Sequence, residues 1–484
     1  RSSDRHPQDG STPPFAPRRR LREIRAMRLP RRPAVSASIR TKIRATSAAL
    51  AMVCLACAPE SGRDSETHTR SDSLGSPISD LRGLPSPAAA GSVTPYLSPG
   101  RDGTVLLSWQ EPEGSGHAVR MARLDGSVWS EPRTIATGED FFVNWADFPS
   151  VIEMPDGSLA AHWLQREGPD TYAYGVRIAR SSDGGESWSS PLTPHLDGTL
   201  TEHGFVSLFP TPDGSLAAVW LDGRDFARAA AENAERSDAS VEAEEADSGA
   251  HTDDSAASEP RDADMSIRYA EIDEAGEIQA ETLLDSRTCD CCQTSAALTS
   301  AGPIIVYRDR SEAEIRDISV VRRLDGRWTA PAVLHRDGWH IPACPVNGPA
   351  VSARGDRLAV AWYTAAEDEP RVFVAFSEDA GASFGEAFRV DEGEPLGRVD
   401  IALLPDGSAL VLWLEIAEEG ARVTARRIRA DGARSRAETV ALTDVSRSSG
   451  FPRIVLRGTE VVLAWTDTAG EGSLHTAIAT VATE

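Results

Sequence analysis

The stretch Pro155-Asp156-Gly157-Ser158-Leu159-Ala160-Ala161-His162-Trp163 returns almost unchanged as PDGSLAAVW ending at Trp220 and PDGSALVLW ending at Trp413. Looser copies read RDGTVLLSW to Trp109, AGPIIVY to Tyr307, GDRLAVAW to Trp362 and GTEVVLAW to Trp465. Each is a polar turn, four or five apolar residues and an aromatic residue. Most copies lie 51 to 57 residues apart; the one wide gap, from Trp220 to Tyr307, contains a low-complexity insertion. A period of this length built from strand-like units predicts the blades of a β-propeller. Seven copies predict seven four-stranded blades in an all-β chain, and six is the alternative if one repeat is an outer decoration.

Blade 2 shows the expected course of the chain most clearly. Pro149 to Met154 reads as a first strand, Asp156-Gly157 as a hairpin turn, Leu159 to Leu164 as a second strand and Tyr174 to Arg180 as a third, with apolar and polar residues alternating in YGVRIAR. The seventh repeat ends after its third strand, near Thr480, so a strand around Ser76 to Leu84 is expected to complete that sheet and close the ring.

The 484 residues fall into a leader, a linker and one large repeat domain. Residues 1–57 read as upstream sequence followed by a signal or lipoprotein leader. Met27 is the expected start, Arg28 to Arg44 a basic region, and Ala45 to Ala56 an apolar run too short to span a bilayer. Leu55-Ala56-Cys57 resembles a bacterial lipobox with Cys57 as the lipidated residue, although Cys54 stands where an aliphatic residue is usual. This predicts export to the periplasm or cell surface, with membrane contact only through the lipid. Residues 58–85, rich in Ser, Asp, Gly and Pro, read as a disordered linker, and 86–484 as the propeller. The acidic, Ala/Ser-rich insertion 227–264 reads as disordered, with a helical stretch at Ala229 to Glu245 as the alternative. A net charge of −24 argues against nucleic acid as a partner. A monomer is expected.

Ser181-Ser182-Asp183-Gly184-Gly185-Glu186-Ser187-Trp188 and Ser377-Glu378-Asp379-Ala380-Gly381-Ala382-Ser383-Phe384 both fit S-x-D-x-G-x-x-W/F. The chain here resembles the sialidase (BNR, or Asp-box, repeat) superfamily of propellers, including bacterial exo-α-sialidases. Asp can accept backbone N–H bonds across such a turn, Gly allows positive φ, and the aromatic ring packs between sheets. The resemblance implies that these turns face away from the sugar-binding mouth. The opposite face then collects the second-to-third strand loops and the links entering each first strand.

Sialidases remove terminal sialic acids, holding the sugar carboxylate with three arginines, attacking with a Tyr activated by a Glu, and using an Asp as acid/base. The resemblance therefore makes Asp147 the candidate acid and Arg224, Arg308, Arg310, Arg398 and Arg453, with His203, the candidate substrate-binding groups. The chain departs from the family where Tyr96-Leu97-Ser98-Pro99 replaces the F/Y-R-I-P segment. It offers no evident nucleophile, since Tyr307 fills the repeat's core aromatic position.

Cys289, Cys291, Cys292 and Cys344 are not explained by the family. Two disulfides would suit an oxidising compartment, with Cys292 and Cys344 read as equivalent in adjacent blades and therefore bridgeable. A thiolate site for Cu or Zn, with His203, His335 or His340 as a further ligand, and a free redox thiol are the other readings. Two functions stay open: a hydrolase acting on a glycan or small anionic substrate, or a non-catalytic propeller that binds carbohydrate or protein.

Overall fold

The computed structural model describes residues 74–246, 263–279, 281–468 and 472–482, with side chains left out for 236–246. The leader and Cys57, residues 58–73 of the linker and residues 247–262 of the insertion lie outside the described residues.

Seven antiparallel sheets form a β-propeller, and each carries one copy of the repeat as its second strand. Blade 1 starts at Val93–Pro99, blade 2 at Ser150–Glu153, blade 3 at His203–Pro210 and blade 4 at Ser295–Thr299. Blades 5, 6 and 7 start at Ala350–Arg354, Pro395–Leu403 and Arg453–Arg457. Blade 2 has three full strands, and its fourth is reduced to a bridge between Ile178 and Leu192. Blade 7 takes its outer strand from the other end of the propeller: Ile78–Leu84 pairs with Ser473–Val481, from Ile78 opposite Val481 to Leu84 opposite Thr476. The closure expected from the sequence is met.

The repeated aromatic residue explains why the blades stand in a ring. Trp109, Trp220, Tyr307, Trp362 and Trp413 are fully buried and Trp163 nearly so. Each packs against the preceding blade. Trp220 meets Tyr174 and Val176 of blade 2, Trp413 meets Val374 of blade 5, and Trp109 meets Val462 of blade 7. A polar turn followed by an apolar run ending in a large ring thus supplies both a buried strand and the wedge that seals a seam.

The two S-x-D-x-G-x-x-W/F segments fold alike. Asp183 Oδ1 accepts the Ser187 N–H at 2.9 Å and Asp379 Oδ1 the Ser383 N–H at 2.9 Å, while each Ser Oγ donates to the other carboxylate oxygen at 2.6 Å. These bonds hold both carboxyls below the ordinary Asp range. Gly185 (φ +94°) and Gly381 (φ +78°) take the left-handed backbone that the turn needs.

The insertion opens as an α-helix, Arg224–Ala246, which covers the helical stretch anticipated at Ala229 to Glu245. Asp222 starts it, its Oδ1 accepting the Arg224 N–H at 3.1 Å.

Adjacent blades are also pinned near the axis. Asp147 and Asn347 each stand three residues before a first strand. The side-chain oxygen of each accepts a backbone N–H from the next blade: Phe205 N–H to Asp147 Oδ2 at 2.8 Å, and Arg398 N–H to Asn347 Oδ1 at 2.6 Å. Both donors sit at φ +54°, so the clasp stabilises a backbone that non-glycine residues rarely adopt. Gln293 and Asp400 make related bonds, to Gly348 N–H and Ile454 N–H.

Candidate functional site

A cleft of about 800 Å³ opens at the mouth of the ring beside blades 2 to 5. Its wall comes from the links entering blades 2, 3, 4, 5 and 7 (Trp145, Glu202, Cys291, Cys344, Arg447) and from second-to-third strand connections (Tyr172, Phe226). This is the set of segments expected opposite the Asp-containing turns.

Tyr174 and Glu202 are its chemical centre. Tyr174 begins the third strand of blade 2, Glu202 immediately precedes the first strand of blade 3, and an isolated parallel bridge joins the two residues. The Tyr174 phenol donates to Glu202 Oε1 at 2.6 Å, while its ring stacks on Phe142 with centroids 3.8 Å apart. Burial pushes the Glu202 carboxyl up to about 7, against the pull of the Tyr174 bond and with a further push from Asp290. Burial likewise raises Tyr174 well above the ordinary phenol value, helped by the charges of Glu202 and Asp147.

Asp147 lies behind this pair. Its Oδ2 is 2.2 Å, and the Tyr174 hydroxyl 3.1 Å, from the point where a Cβ on Gly204 would stand, so glycine is required for these groups to meet. Asp147 is only 3% exposed; burial holds its carboxyl well above the usual range, opposed by the Phe205 N–H. Its clasp on Phe205 is the bond that Asn347 makes elsewhere in the ring.

The proposed arginines do not converge on the cleft, because each already has partners. Arg224 pairs with Asp222 and Glu281, both at 2.7 Å. Arg308 donates to the carbonyl oxygens of Asn347, Arg316 and Tyr363 at 2.9, 2.6 and 2.6 Å and lies over Trp339. Arg310 pairs with Glu314 at 2.7 Å and reaches Asp290 at 3.4 Å. Arg398 donates to the Ser446 and Gly450 carbonyls, supports Trp145 from 4.7 Å, and is lowered by burial to about 10. Arg453 stacks 3.8 Å from the Phe148 ring centre and faces Asp400 at 3.9 Å. A guanidinium saturated by carbonyls or buried among rings has no fork left for a sugar carboxylate. Among the described residues, the guanidinium on the cleft wall is the exposed one of Arg447, not singled out from the sequence.

His203 is also a correction: it is fully buried and points away from the cleft. It stacks on His195 at 3.7 Å, with Nε2 lying 3.2 Å from Asp197 and 3.6 Å from Asp222. Although burial opposes its charge, the two carboxylates raise its pKa. Strand alternation explains the misreading of Thr201-Glu202-His203: the two neighbours face opposite ways, and the outward one is Glu202.

The four cysteines carry no disulfide. Cys289, Cys291 and Cys292 bring their sulfurs within 4.8 Å of one another, and Cys344 comes to Cys291 instead of Cys292. The pairing shifts because Cys292, three residues before its strand, corresponds to Asn347, whereas Cys344 lies three residues further upstream, on the rim. His203, His335 and His340 are not part of this group of three.

No protein-family model and no curated protein matches the sequence. Among solved structures, a protein of unknown function from Dyadobacter fermentans is similar at 14% identity, covering 81% of this chain and 95% of that one, with a TM-score of 0.44. The polysaccharide lyase Uly1 is similar at 10%, covering 80% and 89%, with a TM-score of 0.46. The NanB sialidase from Streptococcus pneumoniae is similar at 12%, covering 84% and 70%, with a TM-score of 0.38. At these identities and TM-scores the likenesses assign no family; the seven-bladed β-propeller expected from the repeat is the architecture of the described residues.

Proposed function

We propose that this chain is a glycan-directed hydrolase whose cleft cleaves a glycosidic bond with Tyr174 as nucleophile. The observation that carries the reading is the 2.6 Å bond between the Tyr174 hydroxyl and Glu202 at the wall of an open cleft. In the proposed step Glu202, as carboxylate, takes the phenolic proton while Tyr174 Oη bonds to the anomeric carbon. The bond from that carbon to the leaving oxygen breaks, and Asp147, held in its acid form, protonates that oxygen. Water then releases the sugar by the reverse proton movements. Half-exposed Trp145 and the 63% exposed Tyr172 offer rings on which a sugar face can stack. The lining carries the carboxyls of Asp170, Glu202 and Asp290 against the single guanidinium of Arg447, which favours neutral sugars over acidic ones.

The test is turnover of fluorogenic neutral pentosides and hexosides alongside a sialoside. Tyr174→Phe and Glu202→Gln are expected to lower kcat/KM by roughly 10²–10⁴, with melting temperatures close to the parent at acidic pH, where the Glu202 carboxyl is protonated. Activity on sialosides alone, or variants as active as the parent, would overturn the assignment. The nearly closed position of Asp147 favours a second reading, a propeller that binds glycans without cleaving them; it predicts glycan-array binding with no turnover. We further propose export with lipid attachment at Cys57, supported by the leader sequence. Acyl labelling of the full chain that survives Cys57→Ser would sink this.

A further inference from the structure

The proposed hydrolysis leaves one chemically loaded group unused: the thiols in the links entering blades 4 and 5. Cys289 and Cys292 are fully buried, Cys291 is half-buried and Cys344 exposed. The Cys289 and Cys292 sulfurs stand 3.3 Å apart, and all three sulfurs of Cys289-Asp290-Cys291-Cys292 lie within 4.8 Å of one another. Sulfurs bound at about 2.3 Å to one tetrahedral ion would be roughly 3.8 Å apart, so this spacing suits a shared cation. The surroundings are those of thiolates. Arg316, 3% exposed, directs Nη1 at Cys289 Sγ from 3.1 Å, and the Asn347 N–H points at Cys292 Sγ from 3.4 Å. A bound cation would take the place of the thiol protons, and the Arg316 guanidinium, itself shared with Glu314, stands beside the sulfurs to offset the negative charge of the resulting complex.

We propose that Cys289, Cys291 and Cys292 form a metal site for one thiophilic d10 ion, with Cys344 available as fourth ligand. Soft sulfur donors select such ions: four thiolates suit Zn²⁺ and three suit Cu⁺. Cys291 and Cys344 also line the cleft, so the ion would sit in its wall, but the site does not depend on the glycosidase reading.

The test uses the full chain, reduced, loaded anaerobically with Zn²⁺ or with Cu⁺, freed of excess metal and assayed for metal content. About one ion per chain is expected, falling more than tenfold in Cys291→Ser and unchanged in Tyr174→Phe. Cys344→Ser, at an exposed position that leaves the fold intact, separates the ions: Zn²⁺ affinity against a competing chelator drops at least tenfold, while Cu⁺ affinity holds. The bound ion should also protect the three thiols from alkylation. The proposal is overturned if the reduced chain retains neither ion, or if Cys291→Ser keeps its metal. It is equally overturned if Cys289, Cys291, Cys292 and Cys344 of the isolated protein are joined in two disulfides, none of the four alkylatable, and the chain takes up no metal after reduction.

Discussion

The mouth of the ring is finished differently on its two sides. Around blades 5 to 7 the polar groups near the axis are consumed by backbone: Arg398 caps the Ser446 and Gly450 carbonyls, and Asn347 clasps Arg398. Around blades 2 to 4 Glu202 faces the cleft, with Asp147 buried behind it and His203 turned away, and all three have raised pKa values. One repeat built both sides, so stability belongs to what they share and reactivity to where they differ.

The largest effect should test the shared part. Trp220→Ala at the blade 2–3 seam and Trp413→Ala at the blade 5–6 seam should each cost about 3–5 kcal/mol in urea unfolding. A seam that tolerates its loss far better than the other would break the equivalence of the two sides.

Alkaline pH should then separate them. Glu202, raised from 4.5 to about 7, contributes stability that is fully present below the lower value and lost as pH climbs through about 7. His203 and Asp147, also raised, act in the same direction. The loss from Glu202 alone is on the order of 3 kcal/mol, and Glu202→Gln should abolish that part of it in thermal melts across pH 4 to 9. Activity, which needs the Glu202 carboxylate, should rise over the same interval.

Gly204→Ala should cost about 1–3 kcal/mol, because the added methyl meets Asp147 Oδ2 at 2.2 Å. Gly83→Ala, with nothing near the new methyl, should stay within about 0.5 kcal/mol and serves as its control. Smallest of all, Asp147→Asn should change stability at neutral pH by less than about 1 kcal/mol, since Asn347 shows that an amide makes the same clasp. If Asp147 is the acid, the same variant loses turnover, and denaturation together with kinetics on one preparation distinguishes the two roles.

The ring was legible because its information is repetitive and local. Polar turns, apolar runs and the aromatic wedges recur at one spacing, and even the closing strand follows from a seventh repeat that ends one strand short. The grouping of the loops that line the cleft was legible too, since chain direction fixes which loops share a face. The pairings across that face were not. Tyr174 and Glu202 are 28 residues apart and meet through a bridge between blades. A one-residue choice between Glu202 and His203, invisible without the strand's facing, decided whether the partner of Tyr174 was found. The arginines misled for a related reason: sequence shows a guanidinium on the right face but not the carbonyls that occupy it. The cysteines were identified as a group, but a three-residue offset between their links moved Cys344 from Cys292 to Cys291.

The outer strand of blade 7 carries a kinetic consequence. Ile78 pairs with Val481, some 400 residues away along the chain. On a ribosome the partner of Ile78–Leu84 is made after the other six sheets, so the early strand must wait unpaired while they assemble. Among the described residues this strand pairing is the most non-local, which makes it a late step in folding and the natural place for opening to begin.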